Sequence, residues 1–202
     1  MDPTSGTSVT TVLAVLAGTA ALGAVEAVRH RSRLHRLGVV LDPGSARVHG
    51  LVGDFRLAGS YRGRAVEFRY ESRSGSSPER LGVSIHCEPA LWFEVGREGA
   101  GERLAHRLGL LEEAPPPEPG LVPGAWFLSP RPDRFRDWLH DSREAASGMG
   151  VLLGRSGFRD VGIEGRTLRA VREGRGSLPA GPDDARRILE ALSELAEAAE
   201  RP

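Results

Sequence analysis

Ala65-Val66-Glu67-Phe68-Arg69-Tyr70-Glu71-Ser72 alternates apolar and charged side chains without a break. Successive side chains of an extended chain point to opposite faces. Val66, Phe68 and Tyr70 therefore share one face, and Glu67, Arg69 and Glu71 the other. One buried face and one wet face describe an antiparallel strand in a half-covered sheet. The expected fold class follows: α+β, an antiparallel meander sheet with helices packed on it.

Turn chemistry frames this strand. Tyr61-Arg62-Gly63-Arg64 precedes it, and residues 73–79 (RSGSSPE) follow as a loop. Upstream, Val39-Val40-Leu41 opens a strand-rich block and runs into the turn Asp42-Pro43-Gly44-Ser45. Residues 46–52 and 55–60 read as extended. Downstream, 80–88 and 91–95 complete a meander of about five strands. Leu81, Val83, Ile85 and Cys87 alternate onto one face, which makes Cys87 a small core side chain. Its neighbour His86 points the other way, a poor geometry for a Cys–His nucleophile.

Leu104, Leu108 and Leu111 place a helix over about 101–111. The proline cluster at 113–123 (EAPPPEPGLVP) is a stiff, extended connector. Ala125-Trp126-Phe127-Leu128 reads as a short strand. Ser129 is the expected cap of a helix that reaches about Leu153, with Gly148 and Gly150 as break points. Val161 and Ile163, a Glu164-Gly165 turn and Leu168 to Val171 form a hairpin. Pro182 opens the last helix, with Asp183 and Asp184 where acids suit the helix dipole. Ile188, Leu189, Leu192, Leu195 and Ala199 form its apolar stripe, expected to close over the hairpin of Val161, Ile163 and Leu168. The chain divides into an anchor and basic flank (1–37), a strand-rich half (38–112), a connector (113–124) and a strand-helix-hairpin-helix half (125–202) packed on the first.

The N-terminal region sets location. Residues 9–28 read VTTVLAVLAGTAALGAVEAV, and no acidic or basic side chain occurs from Pro3 to Val25. Twenty helical residues cover ~30 Å, the hydrocarbon thickness of a bilayer. This stretch is the expected single transmembrane helix. A cleaved signal peptide and a buried soluble helix are the rival readings. A signal peptide carries its basic residues before the apolar core; here they follow, as Arg29, Arg31, Arg33 and Arg36. Positive charge flanking a span stays cytoplasmic. The domain is therefore expected in the cytoplasm, on a bacterial inner membrane, with the N-terminus outside. Ala14/Gly18 and Thr19/Gly23 are small-residue pairs at helix-pairing distance.

Composition removes several functions. The 27 basic side chains, all Arg, balance 27 acidic ones, and Lys, Asn and Gln are absent. Zero net charge gives no bulk attraction to nucleic acid. Without Lys there is no P-loop, no protein kinase and no Schiff base. One cysteine forms no intramolecular disulfide. The six histidines, at 30, 35, 49, 86, 106 and 140, show no metal-ligand spacing, although His49 and His86 fall on strands that can face one another. Gly96 to Gly101 does not complete a dinucleotide fingerprint, because Leu104 takes the last glycine position. His140, Asp141 and Ser142 are consecutive and cannot converge as a triad. No catalytic residue, metal or cofactor is expected.

The arginines carry the one binding expectation. Arg62, Arg64, Arg69, Arg166 and Arg169 lie on two hairpins; if these share a sheet face, that face can meet an anionic partner. Gly59-Ser60-Tyr61-Arg62-Gly63-Arg64, with Trp126-Phe127-Leu128-Ser129-Pro130 entering a helix, is similar to a pattern in uncharacterised membrane-anchored bacterial proteins. The resemblance spans about residues 46–200. It implies an anchored α+β domain of unknown activity and transfers no catalytic residue. The expected role is a membrane-anchored interaction or scaffold domain with a protein partner. The alternatives are an enzyme acting on a small anionic substrate through Arg and carboxylates, and an exported domain behind a cleaved signal.

Overall fold

A computed structural model describes residues 24–51, 53–72, 78–97, 125–174 and 176–201. Their strands are β1 (Arg47–Leu51), β2 (Asp54–Tyr61), β3 (Arg64–Glu71), β4 (Arg80–His86), β5 (Glu94–Arg97), β6 (Ala125–Leu128), β7 (Asp160–Glu164) and β8 (Thr167–Glu173). All eight join one antiparallel sheet in the order β1-β2-β3-β4-β8-β7-β5-β6. The alternation in β3 decides the centre. Val66, Phe68 and Tyr70 sit opposite Ile85, Val83 and Leu81 of β4. Leu168 and Ala170 of β8 continue those rows beside Ile85 and Val83. All of these side chains are buried.

The meander stops at four strands, where the sequence reading had five. β8 takes the free edge of β4, because its Leu168 and Ala170 extend the apolar rows. β5 starts at Glu94, later than expected, and lies beyond the β7–β8 hairpin. Both parts of the chain thus contribute to a single sheet, joined edge to edge.

Helices cover one face. They are α1 (described over 24–37), a 3-10 turn (Gly38–Val40), α2 (Pro132–Asp141), α3 (Arg143–Met149), a π-helical turn (Gly150–Arg155) and α4 (Pro182–Glu200). Ile188, Leu189, Leu192, Leu195 and Ala199 of α4 are fully buried. The stripe packs over α3, β4 and β8, while the π turn meets β7. Of its expected seat on Val161, Ile163 and Leu168, the β8 side that carries Leu168 is met, and the rest of the contact is shifted toward the sheet centre. Phe93, Phe127, Phe135 and Trp138 cluster with ring centroids 4.7–5.6 Å apart, and Trp138 Nε1–H donates to Ala198 O at 2.9 Å, tying α2 to α4.

Three local expectations are corrected. Val39-Val40-Leu41 forms the 3-10 turn and its exit instead of opening a strand: the chain must reverse from α1 into β1, and Leu41 must reach Gly59. A Cβ at Gly59 would lie 2.7 Å from Leu41 Cδ1. The long helix expected from Ser129 breaks at Ser142, whose backbone is extended and whose Oγ accepts the Ala145 N–H at 3.1 Å. A serine that satisfies a first-turn donor starts a new helix. Ser129 does not cap α2; its hydroxyl donates to Trp92 O at 2.8 Å. Gly148 stays within α3, and a Cβ there would meet Ala191 O of α4 at 3.0 Å.

α1 rests on the body through Ala27, His30, Leu34 and Leu37, of which the two leucines are buried. The folded body therefore includes part of the expected basic flank. No described helix is long and apolar enough to cross a membrane. Residues 1–23, which hold most of the 9–28 run and its small-residue pairs, lie outside the described residues. So do the helix expected over 101–111 and the connector at 113–124.

Candidate interaction surface

The alternation that buries Val66, Phe68 and Tyr70 sends Glu67, Arg69 and Glu71 to the second face. Arg69 stands opposite Arg56 on β2 and Gly82 on β4. Ser84, next along β4, stands opposite Arg169 on β8. A shallow groove of about 190 Å³ runs over Gly82 and Ser84, between Arg69 and Arg169.

Ion pairs tile this face. Arg69 bonds Asp54 at 3.3 Å and Glu71 at 3.1 Å, Arg56 lies 3.7 Å from Asp54, and Arg169 lies 3.4 Å from Glu164. The surface is a mosaic of both signs. Each exposed pair of this kind is worth only ~0–1 kcal/mol.

The five arginines singled out from sequence do not form one face. Arg69 and Arg169 come together across the groove. Arg62 sits in the β2–β3 turn at φ 51°, its guanidinium over the Tyr61 ring at 5.4 Å. Arg166 lies in the β7–β8 turn and pairs with Glu88. Arg64 shares the parity of Val66, so it points to the helix side and bonds both Glu200 oxygens, at 2.6 and 2.8 Å. Turn geometry and strand parity separate these three from the groove.

The Arg64–Glu200 pair fastens the end of α4 to the sheet. Its hydrogen bonds hold the Glu200 carboxyl below the ordinary carboxylate range, with burial opposing. A depressed acid adds stability above its unfolded value, and that contribution is lost as pH falls through the lower folded value. Melting temperature is therefore expected to fall on acidification below about pH 5, and Glu200→Gln should reduce that acid sensitivity by about 1 kcal/mol. Thermal melts across a pH series check this; an unchanged acid slope in the variant would remove Glu200 from the balance.

At one end of the second face, apolar side chains stand in water. Trp92 is 38% exposed and Leu128 57%. A groove of about 340 Å³ beside Trp92 is lined by Glu94, Asp160, Gly162, Glu164 and Arg169. Trp126 lies across Gly96, where a Cβ would come within 2.4 Å of the indole. This grouping was not found from the sequence. Its signal was parity: Trp126 and Leu128 fall on the same side of the β6 strand, opposite Phe127, which packs against the core.

Other candidates separate. His49 stands opposite Arg56, and His86 opposite Thr167. β2 and β3 lie between their strands, so they do not face one another. His106 lies outside the described residues. Cys87 is buried, and burial raises its thiol pKa, away from nucleophilic use. Among the described residues, no group of three or more His, Cys, Asp or Glu is placed to hold a metal ion. No family model matches the chain, and no curated protein or solved structure matches it.

Proposed function

We propose that the chain is a membrane-anchored interaction domain. Residues 9–28 hold it in a bacterial cytoplasmic membrane, the domain lies in the cytoplasm, and the open sheet face receives a protein partner. The observation that carries the reading is the contrast between the two faces. One is closed by helices; the other exposes Trp92 and Leu128 beside a charged mosaic. Exposed aromatic anchors with a polar surround are what protein interfaces are built on. An enzyme acting on a small anionic substrate has less support, because Arg64, Arg69, Arg166 and Arg169 already bond carboxylates.

Photocrosslinking in native membranes tests the assignment. A photoreactive residue at Trp92 or Leu128 of the full chain is expected to trap one discrete protein. The same residue at Glu194, exposed on the outer side of α4, is expected to trap none. Equal trapping at all three positions would remove the open face as the interface.

A further inference from the structure

The seat of α1 fixes more than an anchor. We infer that the sheet stands on the lipid surface in one orientation, with the strand ends at Tyr70, Arg80 and Glu173 against the headgroups. The inference rests on the anchored reading above and adds the side that faces the lipid.

The direction of α1 is set at both ends. His30 Nε2 lies 3.3 Å from the Tyr70 hydroxyl, with ring centroids 4.8 Å apart. At the other end, the Asp42 N–H donates to Ser60 O at 2.8 Å, just past the 3-10 turn. Tyr70 pairs with Phe55 at the start of β2, and Ser60 lies near its end. The helix therefore runs alongside β2, in the same direction.

No slack separates this helix from the apolar run. Ala27, which packs on the core, belongs to the last turn of residues 9–28. His30 follows Val28 by two residues, or ~3 Å of helix rise. The headgroup layer is roughly 5–8 Å deep on each side of a bilayer. The end of the sheet that holds Tyr70 must then sit at headgroup depth.

The exposed side of α1 suits that depth. Val25 and Val28 are 50% and 69% exposed. Arg29, Arg31, Arg33 and Arg36 are exposed too, and Glu26 is the sole acid among residues 24–37. Arginine stems lie along apolar surface while their heads reach anionic phosphates. Three acids at the same end of the sheet pair with arginines of the protein, and a fourth, Glu79, accepts the Gly176 N–H at 3.0 Å. Asp54 pairs with Arg56 and Arg69, Glu71 with Arg69, and Glu173 with Arg80 and Arg159. The opposite end, with Gly165 and Trp92, points away from the lipid, where a partner can reach it.

Arg80 and His86 are the two ends of β4, both exposed. Six residues of strand separate them by ~20 Å. Full-length chain in a Cys87→Ala background would carry a fluorophore on Arg80→Cys or on His86→Cys. It would be placed in vesicles of phosphatidylcholine and phosphatidylglycerol containing a headgroup-nitroxide lipid. Quenching is expected to be several-fold stronger at position 80 than at position 86. Equal or reversed quenching in vesicle-bound protein would overturn the orientation while leaving the anchor intact. Protein that does not stay with the vesicles would overturn the anchored reading, and the orientation with it. If either label prevents folding, Glu79→Cys and Glu164→Cys report the same two ends.

Discussion

Leu192→Ala is expected to destabilise the domain by about 2–5 kcal/mol. Leu192 is fully buried in the stripe that α4 lays over α3, β4 and β8. Truncation removes its transfer free energy and leaves a cavity that the sheet beneath cannot collapse to fill. For a chain of this size the melting temperature should drop by roughly 4–20 °C, at about 2–4 °C per kcal/mol. That is a large part of the ~5–15 kcal/mol that holds a typical domain together. Glu194, two residues on, is exposed, and Glu194→Ala should stay within about 0.5 kcal/mol of wild type. Paired thermal melts decide the matter. A wild-type melt for Leu192→Ala would mean that the stripe is not packed against the sheet in solution.

Arg172→Ala should cost about 2–4 kcal/mol, a loss close to that of a core leucine. Arg172 has the parity of Leu168 and Ala170, so it enters the covered side, and its side chain is only 12% exposed. Its guanidinium donates to Ser156 O at 2.9 Å and also to Ser177 O. It lies over the Phe158 ring at 5.3 Å and 3.9 Å from Asp184. Burial pulls its pKa down, and Asp184 pulls it back. One planar fork thus joins β8, the exit of the π turn and the start of α4. Truncation strands two carbonyls and takes one cation from Asp184, which keeps the Ala180 N–H at 3.1 Å and Arg187 at 3.8 Å. Arg172→Lys should rescue little, because an ammonium lacks the fork geometry. Urea denaturation measures both variants. A midpoint for Arg172→Ala equal to that of wild type would mean that water replaces the guanidinium without loss.

Period-two patterning made most of the sheet legible. The alternation at Val66, Phe68 and Tyr70, and at Leu81, Val83 and Ile85, placed these side chains on one buried face, where the structure has them. The 3.6-residue stripe of the last helix was equally clear. Pairing partners were not legible. Alternation states which face a residue takes but not which strand lies beside it, so the insertion of β8 next to β4 went unread. Short β-branched runs misled for a related reason. Val39-Val40 suits a strand by composition, yet the reversal into β1 requires a tight turn there. Ser142 breaks the helix first, because its hydroxyl starts the next one; Gly150 is where α3 gives way to the π-helical turn, whereas Gly148 is held within α3 by the close approach of α4. The five arginines were grouped by hairpin, but strand parity and turn position send Arg62, Arg64 and Arg166 elsewhere.

The most direct test of an anchored cytoplasmic domain is protease added to sealed spheroplasts, followed through the fate of the folded body. If residues 9–28 span the membrane with Arg29, Arg31, Arg33 and Arg36 inside, the body survives until the membrane is broken. Its digestion in intact spheroplasts would contradict that topology.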